Sequence, residues 1–226
     1  MNMTVVGVGG CGVNILNQIK RLKIKNINLM AVTTREEKYK LSSVKNKILL
    51  GRDTLKGEGT SLDTMKGRNA AVGSLEEIQT RLEGANIVII VAGLAGGTGS
   101  GVIPIIVQAA KEMGATVVSM VIMPFKFEGR KRMKIALAGR EEIKGKSNFT
   151  IVFESEKYLA SPEKNLGIKE YFERIDDCVC QEINNIYKLL LFFEKKGNGI
   201  DGKIIEKVLR YRGLENNNNT SYYMNS

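Results

Sequence analysis

The chain of 226 residues is 43% hydrophobic and 26% charged, an ordinary globular balance with enough apolar material for a sizeable core, and no apolar run approaches the roughly 20 residues of a membrane-spanning helix. Its 34 Lys and Arg against 24 Asp and Glu give a formal charge of +10, which favours an anionic partner, yet the basic residues are dispersed and aromatics are only 6%, so sequence-specific nucleic-acid recognition is not expected. With no histidine and only Cys11, Cys178 and Cys180, a disulfide scaffold, a four-ligand zinc site and any imidazole-activated nucleophile are excluded.

The N-terminus, MNMTVVGVGG, has no basic region leading into an apolar stretch and a cleavage site, so a cytoplasmic protein is expected. Apolar runs then alternate with helical periods: strands over residues 3–8, 28–33, 47–51, 86–93, 116–123 and 148–153, and helices over 12–22, 74–83, 99–113, 128–144 and 171–193. This order predicts an α/β fold, a Rossmann-like parallel sheet flanked by helices. The middle strands are apolar on both faces, as buried parallel strands are. On the last, long helix Phe172, Ile175, Val179, Ile183, Ile186 and Leu190 step by three or four residues and read as a core-facing stripe. A glycine-marked loop follows, KKGNGIDGK, then IIEKVLRY as a short helix, and ENNNNTSYYMNS reads as a mobile tail. The chain thus divides into a main domain over 1–193, a loop and short helix over 194–212, and a disordered tail over 213–226, with no second domain.

Two loops carry the chemistry. The first strand runs into GVGGCGVN, where Gly7, Gly9 and Gly12 stand in GxGxxG register before a helix; glycines admit a phosphate close to the backbone, and the helix N-terminus favours its charge. The fourth long strand leads into GLAGGTGSG, where Gly93, Gly96, Gly97, Gly99 and Gly101 alternate with Thr98 and Ser100 before a second helix, an anion nest with two hydroxyls. Two such loops at the carboxyl ends of parallel strands suit a chain of phosphates in the crevice between them. No GxxxxGK[ST] motif is present, so the usual P-loop is excluded. A dinucleotide enzyme is the rival; Thr33, Thr34 and Arg35 stand where NAD would require an acid, although Arg35 suits a 2′-phosphate.

These residues, with GRNAA at 67–71 and above all MPFKFEGRKRM at 123–133, resemble the FtsZ family of the tubulin superfamily over about residues 3–185. The resemblance implies a GTP-binding domain that takes GTP or GDP with Mg2+, and it implies a role for each matched residue. Gly9, Gly10, Cys11 and Asn14 from the first loop and Gly93, Gly96, Gly97, Thr98, Gly99 and Ser100 from the second would hold the nucleotide. Glu128 would accept from the ribose, Arg132 would approach the sugar or phosphates, Phe172 would lie against guanine, and Asp177 would pair with its N1–H and 2-amino group. That last pairing is chemically apt, because adenine lacks the two donors.

The departures are as informative. The family's second strand ends in Asn-Thr-Asp where this chain has Thr33, Thr34 and Arg35, so an acid near the phosphates has become a base. GEGTSLDTMKGR at 57–68 resembles the family's γ-phosphate loop with one extra residue, and Cys11 and Ala95 replace glycines. Catalysis in the family is completed by an acidic loop, NxDxxD, that enters the neighbour's pocket; here Gly199, Asp201 and Ile204 stand at those positions, so Asp201 is the one candidate catalytic acid and hydrolysis is expected to be slow. The family's second domain and its C-terminal adaptor peptide have no counterpart in the sequence. The first expectation is therefore a GTP-binding protein that self-assembles head to tail into filaments and hydrolyses GTP weakly between subunits, as in cell division. The alternative is a non-catalytic regulator that caps the filaments of a full-length FtsZ-like protein, and the charge leaves contact with an anionic membrane surface open.

Overall fold

The computed structural model describes residues 1–22, 27–159, 167–197, 199–215 and 220–224, with side chains through residue 212. Its elements in chain order are β1 (Met3–Val8), α1 (Gly9–Arg21), β2 (Ile27–Thr33), α2 (Glu36–Leu41), β3 (Asn46–Leu49), α3 (Arg52–Leu55), α4 (Thr64–Val72), α5 (Leu75–Leu82), β4 (Ile87–Gly93), α6 (Gly97–Glu112), β5 (Thr116–Ile122), α7 (Arg130–Lys144), β6 (Phe149–Phe153), α8 (Ile168–Lys195), α9 (Gly202–Glu215) and β7 (Thr220–Met224). The strands form one sheet in the order β3-β2-β1-β4-β5-β6-β7, the first six parallel. Strand order reverses between β1 and β4, and there the two glycine loops emerge side by side.

Alternation along the strands divides the core in two. Ile87, Ile89 and Val91 of β4 face α1, α8 and α9, whereas Val88, Ile90 and Ala92 face the layer of α4 to α7. The expected α8 stripe is buried at Ile175, Val179, Ile183, Ile186 and Leu190, but Phe172 at its start is 41% exposed. The departure matters, because Phe172 has left the core for the mouth of a cavity.

α4 was not anticipated. Asp63 caps it by accepting from the backbone N–H of Met65 (2.9 Å) and Lys66 (3.1 Å). Its Gly67 lies so close to α6 that a Cβ there would sit 2.3 Å from the Gly97 carbonyl oxygen, and a Cβ on Gly101 would sit 2.2 Å from that of Thr64. Backbone meets backbone here, and no side chain fits between. Helices α1 and α6 begin at Gly9 and Gly97, earlier than expected, because the glycine loops themselves form their first turns.

Two further expectations are corrected at the C-terminal end. The short helix extends over Gly202–Glu215 as α9, which buries Ile205, Val208 and Leu209 and pairs Arg212 with Glu182 of α8 at 2.9 Å. The stretch assigned to a disordered tail contains β7, antiparallel to β6 with Phe149 opposite Met224 and Phe153 opposite Thr220. An edge strand offers unpaired N–H and C=O groups, and TSYYM is rich in the residue types that fit a pleated surface, so the pairing satisfies the edge. Residues 216–219 of that tail lie outside the described residues.

Candidate functional site

A cavity of about 400 Å³ runs across the carboxyl ends of the strands. Gly9, Gly10 and Cys11 form one wall of its centre, and Gly93, Gly96, Gly97, Thr98 and Gly99 form the other. Gly7 and Gly12, beneath it, allow α1 to close down on β1: a Cβ on Gly7 would stand 2.4 Å from the Gly12 carbonyl oxygen. The amides at the starts of α1 and α6 thus border one concave space, the arrangement that suits a polyanion.

At the β2 end the cavity is lined by Thr33, Arg35, Lys38, Thr60, Ser61 and Leu62. Thr98 Oγ1 lies 2.7 Å from Thr34 Oγ1 and 3.3 Å from Thr60 Oγ1, a hydroxyl chain that ties the ends of β2, the 57–63 loop and the second glycine loop together. Ser61 and Leu62 both hold positive φ, 48° and 70°, a conformation L-residues seldom adopt, so this turn is held tightly. The motif reading noted Thr34 only at the end of the second strand and Thr60 only within the γ-phosphate-like loop, and it did not mention Lys38.

At the other end stand Glu128, Arg132, Phe172, Ile175 and Asp176. Glu128 accepts from the Phe125 backbone N–H at 2.9 Å and from Arg132 Nη1 at 3.0 Å, so the two residues expected at a sugar form one ion pair on the wall. Phe172 stands nearly perpendicular to Phe125 and Phe127, with centroids 5.1 and 6.5 Å apart, and remains 41% exposed at the cavity.

Three expected residues are elsewhere. Ser100 is buried: its hydroxyl donates to the Leu94 carbonyl at 2.6 Å and its N–H to Gly96 at 3.1 Å, so neither reaches the cavity. Asn14 is exposed on α1 and does not line the cavity. Asp177 is exposed and accepts from Gln18, whereas the preceding Asp176 lines the cavity. Burial, then the neighbouring charges of Asp177 and Glu173, push the Asp176 carboxyl up from its ordinary 3.8 to about 7. Burial likewise raises the Cys11 thiol and pushes Cys180 up to about 12, so neither is a ready nucleophile. Asp201 lies outside this cavity and caps α9, accepting from the Ile204 N–H at 2.9 Å.

The donor set at the β2 end does not suit Mg2+. A hard divalent cation takes oxygen ligands, carboxylates foremost, and this end offers hydroxyls beside a guanidinium and an ammonium. Among the described residues no group of three or more His, Cys, Asp or Glu could hold a metal ion, and no helix is long and apolar enough to cross a membrane.

Known proteins resemble this chain in sequence and fold. The cell division protein FtsZ of Aquifex aeolicus is 34% identical over 187 residues, which are 83% of this chain and 51% of that protein. An empty FtsZ dimer from M. jannaschii superposes with a TM-score of 0.79 at 31% identity, over 83% of this chain and 55% of that one. CetZ2 from Haloferax volcanii, seen as a GTPγS-bound protofilament, shares the fold with a TM-score of 0.72 at 21% identity, over 81% and 57% of the two chains. The chain spans about half the length of these relatives. The sequence profile of the Tubulin/FtsZ family GTPase domain matches residues 2–161. The cavity lining falls within that match except for Phe172, Ile175 and Asp176 of α8, and the chain belongs to the Tubulin/FtsZ family.

Proposed function

We propose that the protein binds GTP in this cavity and assembles head to tail, with the nucleotide at the junction between subunits and slow hydrolysis completed by the next subunit. One observation carries the reading: two glycine-built helix starts flank the centre of a cavity that has a hydroxyl and cation cluster at one end and an exposed aromatic ring with a carboxyl at the other. A triphosphate fits the centre and the β2 end, the ribose fits beside the Glu128–Arg132 pair, and guanine fits against Phe172.

The guanine partner is Asp176 in place of Asp177. Asp176 stands four residues after Phe172, on the same face of α8, whereas Asp177 is turned towards Gln18. Once ionised, its carboxylate accepts both guanine donors; adenine offers no such pair and leaves a buried charge unmatched. Titration with GTP and ATP tests this. Asp176→Asn lowers the preference for GTP about tenfold to a hundredfold, the worth of hydrogen bonds to a charged group, and Asp177→Asn leaves it within about twofold. The reverse pattern contradicts the assignment.

The position of Asp201 supports action on a neighbour, because it lies on a loop beyond its own cavity. With Ile204 in place of a second acid, it stands alone there, and its oxygen is engaged in capping α9. That engagement favours a second reading, a GTP-binding regulator that docks on the filament of a full-length relative. The CetZ2 protofilament with GTPγS is a precedent for nucleotide-bound assembly in this fold.

A further inference from the structure

We propose that Arg35 and Lys38 supply, from the chain's own side chains, the positive charge that a divalent cation brings to a nucleoside triphosphate, so that the terminal phosphate is held without a metal. The inference rests on the cavity being the GTP site. Its β2 end contains no carboxylate. The two that line the cavity stand at the other end, Glu128 committed to Arg132 and the Phe125 N–H, and Asp176 on α8. A divalent ion placed among Thr33, Arg35, Lys38 and Thr60 would meet two cations and no anionic ligand except the phosphates themselves.

The stem of each side chain passes over a glycine, with Arg35 exposed and Lys38 half-buried. The stem of Lys38 lies over Gly10, its Cε 3.5 Å from the place of a Cβ there. The stem of Arg35 crosses Gly59, with Cγ at 2.9 Å from the corresponding position, and the Arg35 N–H donates to Thr33 Oγ1 at 3.2 Å. The Glu36 carboxylate next door pairs with Lys40 at 2.9 Å, and among the described residues no ion pair ties up Arg35 or Lys38. Two uncommitted cations, one packed over the first glycine loop and the other over the 57–63 loop, form a receptor for the most highly charged end of a ligand. A guanidinium binds phosphate oxygens in a fork and an ammonium adds a point charge. The acid-to-base change at Arg35 is then a replacement of cation chemistry, with Lys38 as its partner.

The test is affinity, measured by titrating the full chain with GTP and with GDP, in excess EDTA and in excess Mg2+. The parent is expected to bind GTP with the same affinity in both buffers, within about threefold. In EDTA, Arg35→Ala and Lys38→Ala each weaken GTP on the order of tenfold and GDP by less than about threefold, as loss of a charge-assisted contact to the last phosphate requires. The retained GDP affinity shows that the variants fold. Arg35→Asp makes GTP binding depend on Mg2+. A parent that loses more than about tenfold of its GTP affinity in EDTA overturns the proposal, and so do alanine variants that weaken GTP and GDP equally. Failure to bind either nucleotide in either buffer overturns the GTP reading itself.

Discussion

Asp176 and Asp177 are adjacent in sequence and roughly 100° apart around α8, and that rotation separates a cavity residue from a surface one. Burial, then the charges of Asp177 and Glu173 on its own helix, push the Asp176 carboxyl up to about 7, and Cys11, across on the first glycine loop, faces it as a protonated thiol. On the proposed reading guanine requires the ionised form, so binding must release any proton held there. GTP affinity is therefore expected to be flat above about pH 7 and to fall towards tenfold per unit below it, a slope that Asp176→Asn abolishes. The sign for stability is opposite to that of a salt-bridged acid. The native state binds this proton more tightly than the unfolded chain, so the Asp176 contribution to stability falls as pH rises from about 3.8 to about 7. Thermal melts without nucleotide should show Asp176→Asn gaining on the parent as pH rises from about 4 to about 7, where the native state keeps a proton that the unfolded chain has lost, and gaining no further above that.

Asp201 caps α9 in the structure and is the catalytic acid of the proposal. Asp201→Ala removes the α9 cap, at a cost of about 1 kcal/mol. It is also expected to abolish phosphate release while GTP affinity stays unchanged, since the carboxylate stands outside its own cavity. Equal turnover by variant and parent contradicts the catalytic assignment. The glycine loops and the EGRKR run led the sequence reading to residues that line the cavity, and a motif match led it to Asp177, which does not. The four-residue step from Phe172 points to Asp176, which lines the cavity with it, because that step follows from helical geometry. Ser100 was beyond reach: a hydroxyl in a glycine loop reads as a ligand, and only the fold reveals that the Leu94 carbonyl takes it.

Among the elements, the six parallel strands were legible because their apolar runs are continuous and of strand length, and the structure keeps them within a residue or two. What escaped was short or set by tertiary contact. α4 has few apolar residues and no clear stripe; it exists because Gly67 and Gly101 let it lie against α6 backbone to backbone. Gly67→Ala drives a Cβ to within 2.3 Å of the Gly97 carbonyl oxygen, which must move and carry the second glycine loop with it. An expected loss of about 1–3 kcal/mol in denaturant unfolding should come with weakened GTP binding. A variant with parental stability and affinity contradicts this account of the interface. β7 was missed for another reason: its residue types suit a strand, but five residues after a polar run show no clear period, and the open edge of β6 decides their state.

For the molecule as a whole, one sheet with a helical layer on each face presents its cavity at one end, and α9 with the Asp201 loop follows α8 after its long run through the core. A head-to-tail contact between such units joins a cavity to a loop and does not close on itself. In the proposed function, GTP in the cavity gates this contact. Its most direct test is right-angle light scattering with simultaneous phosphate release, after addition of GTP and, separately, GDP. Scattering that rises with GTP, stays flat with GDP and decays as phosphate is slowly released is the predicted result; a flat trace from protein with GTP demonstrably bound would contradict it and favour a regulator that docks on another protein's filament.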